Sequence, residues 1–294
     1  MRTFQTGCKI NLGLKIVSKR SDGYHELDSI FYPLNQPCDT IQINKLETSD
    51  KLEITTSSPE IDPNNNTLTR CYKIWHRITA HPPALAINLI KDIPIGAGLG
   101  GGSSDAACLL KFLNSELEQP LTDAKLNNVA KEIGADVPFF LNPKPSRIQG
   151  IGEIITPVDL DLSAYTLILV TPNFRIDTPW AYNQFDAQNC AQKFDERYKS
   201  LTRNNFSIKY LLSAASKTTS TLLSFDNDLE QAVLPCYPPL QALKKLIFDL
   251  GAQAVAMSGS GSSIFGLFDK DPMIIANASQ NLRSSTYRFT IIDL

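Results

Sequence analysis

Residues 96 to 102 read Gly-Ala-Gly-Leu-Gly-Gly-Gly, five glycines in seven positions, and Ser103, Ser104 and Asp105 follow at once with two alanines behind them. Glycines let successive backbone N–H groups turn toward one point, and a helix starting behind them adds unsatisfied donors and the positive end of its dipole. That combination suits a polyphosphate, most naturally a nucleoside triphosphate. Gly96, Gly98 and Gly101 also spell GxGxxG, but a dinucleotide fold needs a second strand ending in an acidic residue about 20 positions on, where this sequence has a second helix. A Walker A loop ends Gly-Lys-Ser/Thr, and this one ends Gly-Ser-Ser. A flexible linker, or a plain helix cap at Ser103 or Ser104, stays open, although Pro94 in front and an alanine-rich helix behind are unusual flanks for a linker.

The rest of the chain limits what such a loop can serve. Its 294 residues, 43% of them hydrophobic, suffice for one large core or two ordinary ones. A formal net charge of −2 argues against a general nucleic-acid binder, which needs a basic excess to collect phosphates, so an anionic ligand must be met locally. Arg2, Lys9, Lys15, Lys19 and Arg20 all precede the first acidic residue, Asp22; a solvated strand face explains them as well as a ligand site does. No window approaches the roughly 18 to 20 apolar residues of a membrane helix, and the first residues lack a signal-peptide core. The six cysteines, at 8, 38, 71, 108, 190 and 236, show neither CxxC nor Cys/His ligand spacing, and they read as reduced thiols. The three histidines are too scattered for a metal site. A cytoplasmic protein is expected, with no membrane and no nucleic-acid partner.

The elements that must position the loop are legible in outline. Residues 8–17 alternate as a half-buried strand, and an Asp-Gly turn at 22–23 leads into a second extended run, a hairpin. Residues 39–46 and 50–57 are further strands. Leu68, Tyr72, Trp75 and Ile78 mark one face of a helix. Residues 84–94 form the strand that ends where the glycines begin; 103–114 and 121–134 are helices, the second stopped by Gly134. The proline- and glycine-rich stretch 142–152 reads as a loop and a domain boundary, giving domains 1–156 and 157–294, with the last strand free to pack on the first domain. Beyond it come a strand at 165–172, helices near 178–185, 205–214, 227–233 and 239–250, a strand–turn–strand at 253–268 and a final strand near 288–293. Residues 183–224 are weakly patterned.

Three motifs, in this order and spread over nearly the whole chain, resemble one known family: CKINLGLKIVSKRSDGYHELDSIF from Cys8, IPIGAGLGGGSSDAACLL from Ile93 with GADVPFF from Gly134, and AMSGSGSSIFGLF from Ala256. Smaller echoes are GIGE from Gly150, TPWAY from Thr178 and NDLE from Asn227. The chain resembles the superfamily of galactokinase, homoserine kinase, mevalonate kinase and phosphomevalonate kinase, and within it the branch that acts on a cytidyl diphosphate alcohol in non-mevalonate isoprenoid precursor synthesis. It departs from the family pattern in Cys8, where a small residue is usual, and in Asn142 to Arg147, which replace a glycine-containing turn.

The resemblance implies an α+β, two-lobed kinase with a ribosomal-S5-like N-terminal domain and a ferredoxin-like C-terminal domain. It implies ATP as phosphoryl donor with Mg²⁺, transfer to an alcohol, and Lys9 and Asp136 as the catalytic pair. Asp136 would take the hydroxyl proton while Lys9 holds the carboxylate ionised and stabilises developing charge. By residue type alone, Asp136 is as readily a turn or cap residue and Lys9 a solvated strand lysine. The nucleotide is expected on Pro94, Ile95, Gly96, Ala97, Gly98, Leu99, Gly100, Gly101, Gly102, Ser103 and Ser104, with Ser104 also a magnesium contact and with Asn66 and Lys91 near the adenine. The family pattern further implies substrate contacts at Asn11, Tyr24, His25, Thr178 and Tyr182, the two tyrosines stacking on the cytosine and His25 bonding its edge. NDLE reads instead as a capping box, Asn227 to Glu230. A homoserine- or mevalonate-type kinase, and a catalytically silent nucleotide-binding protein, are the alternatives. A monomer or weak homodimer is expected.

Overall fold

The computed structural model describes residues 1–49, 51–79, 82–189, 225–283 and 286–294. The helix expected at 205–214 lies outside them. The chain groups into two compact units: residues 1–9, 33–95 and 100–144 form the first, and 10–32, 96–99 and 145–294 the second. Two long strands, β1 (Arg2–Lys19) and β2 (His25–Ser49), contribute residues to each.

In the first unit, β4 (Pro83–Ile90) runs antiparallel to residues 40–49 of β2 and parallel to β3 (Leu52–Thr56). Helix α1 (Thr67–Thr79) buries Leu68, Cys71, Tyr72 and Trp75, the spacing of one helical face, while Ile78, expected on that face, is exposed. Helix α2 (Gly101–Ser115) buries residues on nearly every side, from Gly101 and Ser104 to Leu113. Asp123–Ile133 is α3, and the short α4 (Val137–Leu141) begins on a Val-Pro pair.

In the second unit, residues 27–31 of β2 pair with β5 (Ser146–Gly150), which pairs with β6 (Ile154–Pro157). The stretch expected to be a loop thus supplies a strand, and Arg147 closes a bidentate pair on Asp28 across the β2–β5 ladder, at 2.8 and 2.6 Å. A separate antiparallel sheet has the order β10–β7–β9–β8, from β7 (Tyr165–Pro172), β8 (Ala254–Met257), β9 (Ile264–Asp269) and β10 (Tyr287–Asp293). The final strand therefore pairs with β7 and not with strands of the first unit. Helices α5 (Thr178–Asn189), α6 (Glu230–Val233), α7 (Pro238–Asp249) and α8 (Pro272–Asn281) complete this unit, and a core that includes Ile168, Val170, Phe185, Leu229, Ile247 and Phe268 fills it. Among the described residues no helix is long and apolar enough to cross a membrane.

Candidate active site

In the first unit, β1 carries Lys9 into the interior, and its ammonium lies 3.8 Å from Oδ2 of Asp136. The lysine side chain is 4% exposed and the aspartate 29%, so the cation is enclosed while the carboxylate stays open to an incoming group. Burial pushes the Lys9 ammonium below its ordinary pKa, and Asp136 opposes that shift. Asp136 occupies the N-cap position of α4 but its side chain makes no capping bond; the plain capping alternative for this residue finds no support.

Beside this pair, Gly100 caps α2 in the left-handed region at φ 73°. A Cβ there would lie 3.0 Å from the Phe140 ring and 3.3 Å from Cγ of Lys9, so the helix start and the lysine stem are in contact range. The N–H groups of Ser103 and Ser104 both donate to the Gly100 carbonyl at 3.0 Å. Those of Gly101 and Gly102 have no acceptor within the helix, no side chain caps them, and the first turn carries no acidic residue. Orphan donors at the end of a 15-residue helix favour negative charge nearby. Ser104 is buried in that turn.

Asn66 sits at the start of α1, where its Oδ1 accepts from the Thr69 N–H at 3.0 Å and its amide donates to the Asp62 and Pro63 carbonyls. Lys91 is buried, paired with Asp39 and, at 2.9 Å, with Asp105. Burial pushes the Asp105 carboxyl up to about 6 against the pull of that ammonium, while the two carboxylates hold Lys91 protonated.

In the second unit, Gly96 and Gly98 are also left-handed, at φ 67° and 78°. A Cβ on Gly98 would lie 2.0 Å from the Ser258 carbonyl oxygen, and the Ser258 hydroxyl donates to the Gly98 carbonyl at 3.0 Å. The turn between β8 and β9 thus lies against this part of the glycine loop. Asn11 joins the same network: its backbone N–H reaches Ser258 Oγ at 3.3 Å and its amide donates to Ser29 at 3.0 Å. Thr178 hydrogen-bonds Ser260 at 2.8 Å. The stem of Arg175 packs beside Gly96.

His25 is buried, stacked on Tyr182 with ring centroids 4.9 Å apart, and its Nε2 meets Asp186 at 2.8 Å. Lys19 holds the other oxygen of Asp186 at 2.6 Å. Partial burial works to raise the Asp186 carboxyl, but the bonds from Lys19 and His25 win and hold it below its usual range. Tyr24 is 61% exposed. His25 and Tyr182 are brought together; Asp186 and Lys19 complete a cluster that residue spacing did not reveal.

NDLE forms only half of the expected capping box: Asn227 Oδ1 accepts from the Leu229 N–H at 3.0 Å, while the Glu230 carboxylate is engaged elsewhere. The Asn227 amide donates to the Met257 and Gly259 carbonyls at 2.8 and 2.7 Å, and Glu230 accepts from the Met257 N–H at 2.7 Å. These side chains hold the β8–β9 turn, a role set by partners about 30 residues away that local spacing cannot show.

The sequence pattern of the GHMP kinases N terminal domain matches residues 66–143, and that of the GHMP kinases C terminal domain matches residues 208–287. The chain is 42% identical over 272 residues to the 4-diphosphocytidyl-2-C-methyl-D-erythritol kinase of Lawsonia intracellularis, covering 90% of this chain and 88% of the relative. It is 40% identical over 269 residues to the enzyme of the same name from Bacteroides fragilis, covering 90% and 92%. A crystal structure of 4-(cytidine 5'-diphospho)-2C-methyl-D-erythritol kinase superposes with a TM-score of 0.78 at 28% identity, over 99% of this chain and 98% of that one. The mevalonate kinase of Methanococcus jannaschii, at 15% identity and a TM-score of 0.67 over 99% and 97%, shares the fold.

Proposed function

The chain belongs to the GHMP kinases, among the 4-diphosphocytidyl-2-C-methyl-D-erythritol kinases, and from that membership we propose how its own residues phosphorylate the 2-hydroxyl of that alcohol in non-mevalonate isoprenoid precursor synthesis. The observation that carries the proposal is the Lys9–Asp136 pair lying beside the uncapped start of α2. Bound at that helix start, ATP with its magnesium ion supplies the phosphoryl group and neutralises much of its charge. Gly101 and Gly102 offer their N–H groups to phosphate oxygens, and the alternating left-handed glycines 96, 98 and 100 keep side chains out of the loop. Pro94, Ile95, Ala97, Leu99 and Ser103 complete the loop, with Asn66 toward the base, while the ammonium expected there from Lys91 is engaged by Asp39 and Asp105 instead. Among the described residues no three His, Cys, Asp or Glu side chains gather to hold a metal. Ser104, buried in the first turn of α2, is the residue that would offer its hydroxyl to the magnesium ion.

Asp136, the more open partner, takes the proton of the acceptor hydroxyl as its oxygen becomes the nucleophile. Lys9 faces the oxygen that is losing its proton; its enclosure makes the charge count for more than it would in water. At the other end of the acceptor, His25 and Tyr182 receive the cytosine. Asp186 engages Nε2 of His25, which directs Nδ1 to the base edge, and the exposed Tyr24 ring supplies a stacking surface. Asn11 and Thr178 supply the remaining substrate contacts. We place the enzyme in the cytoplasm, where the five free cysteines among the described residues would stay reduced, as a monomer or weak homodimer.

ADP release measured with three acceptors tests the assignment. Turnover is expected with 4-diphosphocytidyl-2-C-methyl-D-erythritol and negligible with homoserine and mevalonate, because a pocket built for the base leaves polar groups unpaired without it, each costing about 1–3 kcal/mol. Comparable turnover of either small alcohol would overturn it.

A further inference from the structure

Asp39 is fully buried on β2 in the first unit, and its carboxylate is shared among several donors. Oδ1 accepts from the N–H groups of Asp92 and Ile93, at 2.7 and 2.8 Å. These residues lie past the end of β4 and immediately before Pro94, so Asp39 replaces the ladder where the strand gives way to the glycine loop. Oδ2 is paired with Lys91, and it faces the other end of the loop: a Cβ at Gly101, the first residue of α2, would lie 3.3 Å from it and 2.8 Å from Cγ2 of Ile93. Gly101 therefore has no side chain because the two ends of the loop meet there. Lys91 also reaches Asp105 in the second turn of α2, and Asp105 accepts from Thr6 of β1 at 2.8 Å. A buried carboxylate needs such compensation, and this one has a cation and two amides.

We propose that Asp39 is the positioning residue of the nucleotide loop: one carboxylate holds the loop's start at Asp92–Ile93 and its end at Gly101 at the spacing that aims the donors of α2 at phosphate. This rests on the reading of that loop as the nucleotide site. Lys91 and Asp105 hold Asp39 in place, so the ammonium of Lys91 acts from beneath the loop.

Asp39→Asn keeps the size of the side chain and one oxygen for the two N–H groups, but it turns an amide donor toward the Lys91 ammonium. The expected result in steady-state kinetics is an ATP KM raised about tenfold, with kcat and the acceptor KM within about twofold of wild type, the split that separates loop positioning from general damage. A folded variant with wild-type ATP KM, or one in which both KM values rise together, would overturn the proposal. Should Asp39→Asn fail to fold, hydrogen exchange on the wild-type protein without nucleotide decides: the amides of Asp92 and Ile93 are expected to exchange at least about 100-fold slower than free peptide, and unprotected amides there refute the anchor. Wild-type protein that binds no ATP would instead refute the nucleotide assignment of the loop, and the exchange result would still report on Asp39.

Discussion

An ammonium enclosed like that of Lys9 is costly unless a counter-charge stands by, and Asp136 is that counter-charge, 3.8 Å away. In the proposed mechanism the asymmetry of exposure gives the two groups different work: the buried one holds charge, the open one exchanges a proton. Replacing Asp136 by Asn keeps the shape and removes the base. We expect kcat to fall by about 10²- to 10⁴-fold, with ATP affinity by calorimetry close to wild type, since the phosphate donors sit on α2. A variant with near wild-type turnover would remove Asp136 from the chemistry. Neither residue declares itself by type, because strand lysines and turn aspartates are commonplace; only the resemblance of the motifs around them singles them out. Asp186 was not legible at all, since its partner His25 lies 161 positions away and helical spacing says nothing about so distant a contact.

Among the elements, the glycine loop was readable as a loop before a helix, but not for the reason each glycine is there. Gly98 gives way to a backbone carbonyl of the β8–β9 turn and Gly101 to Ile93; both are packing demands within the protein. Asn227 is the side chain that fixes that turn, through the carbonyls of Met257 and Gly259. Asn227→Ala should leave two buried acceptors unpaired and destabilise the protein by about 1–3 kcal/mol, seen as a lower thermal midpoint, and with the turn loosened against Gly98 the ATP KM should rise. An unchanged midpoint would mean that the turn holds itself. Strand β2 was read as two pieces because Pro33 and Pro37 look like breaks. They fall between its ladder with β5 and its ladder with β4, and the strand runs on through them. Strand β5 hid behind Pro145, although its burial alternates from Ser146 to Gly150 as a half-buried strand should. Helix α8 carried an unread start signal, Asp271 accepting from the Met273 N–H at 2.8 Å with Pro272 at the first helical position.

At the scale of the molecule, a net charge of −2 means that anions are met by placed groups and not by a general field. The first unit places Lys9, Asp136 and the donors of α2; the second places His25, Tyr182, Asp186 and the β8–β9 turn. In the reading proposed above, phosphoryl chemistry falls to the first set and recognition of the cytidyl end to the second. The most direct test is ³¹P NMR of wild-type protein incubated with ATP, Mg²⁺ and 4-diphosphocytidyl-2-C-methyl-D-erythritol. The expected spectrum shows ADP growing in step with one new phosphomonoester resonance while the acceptor's own diphosphate signals persist. Inorganic phosphate in place of the monoester, or no loss of ATP, would contradict it.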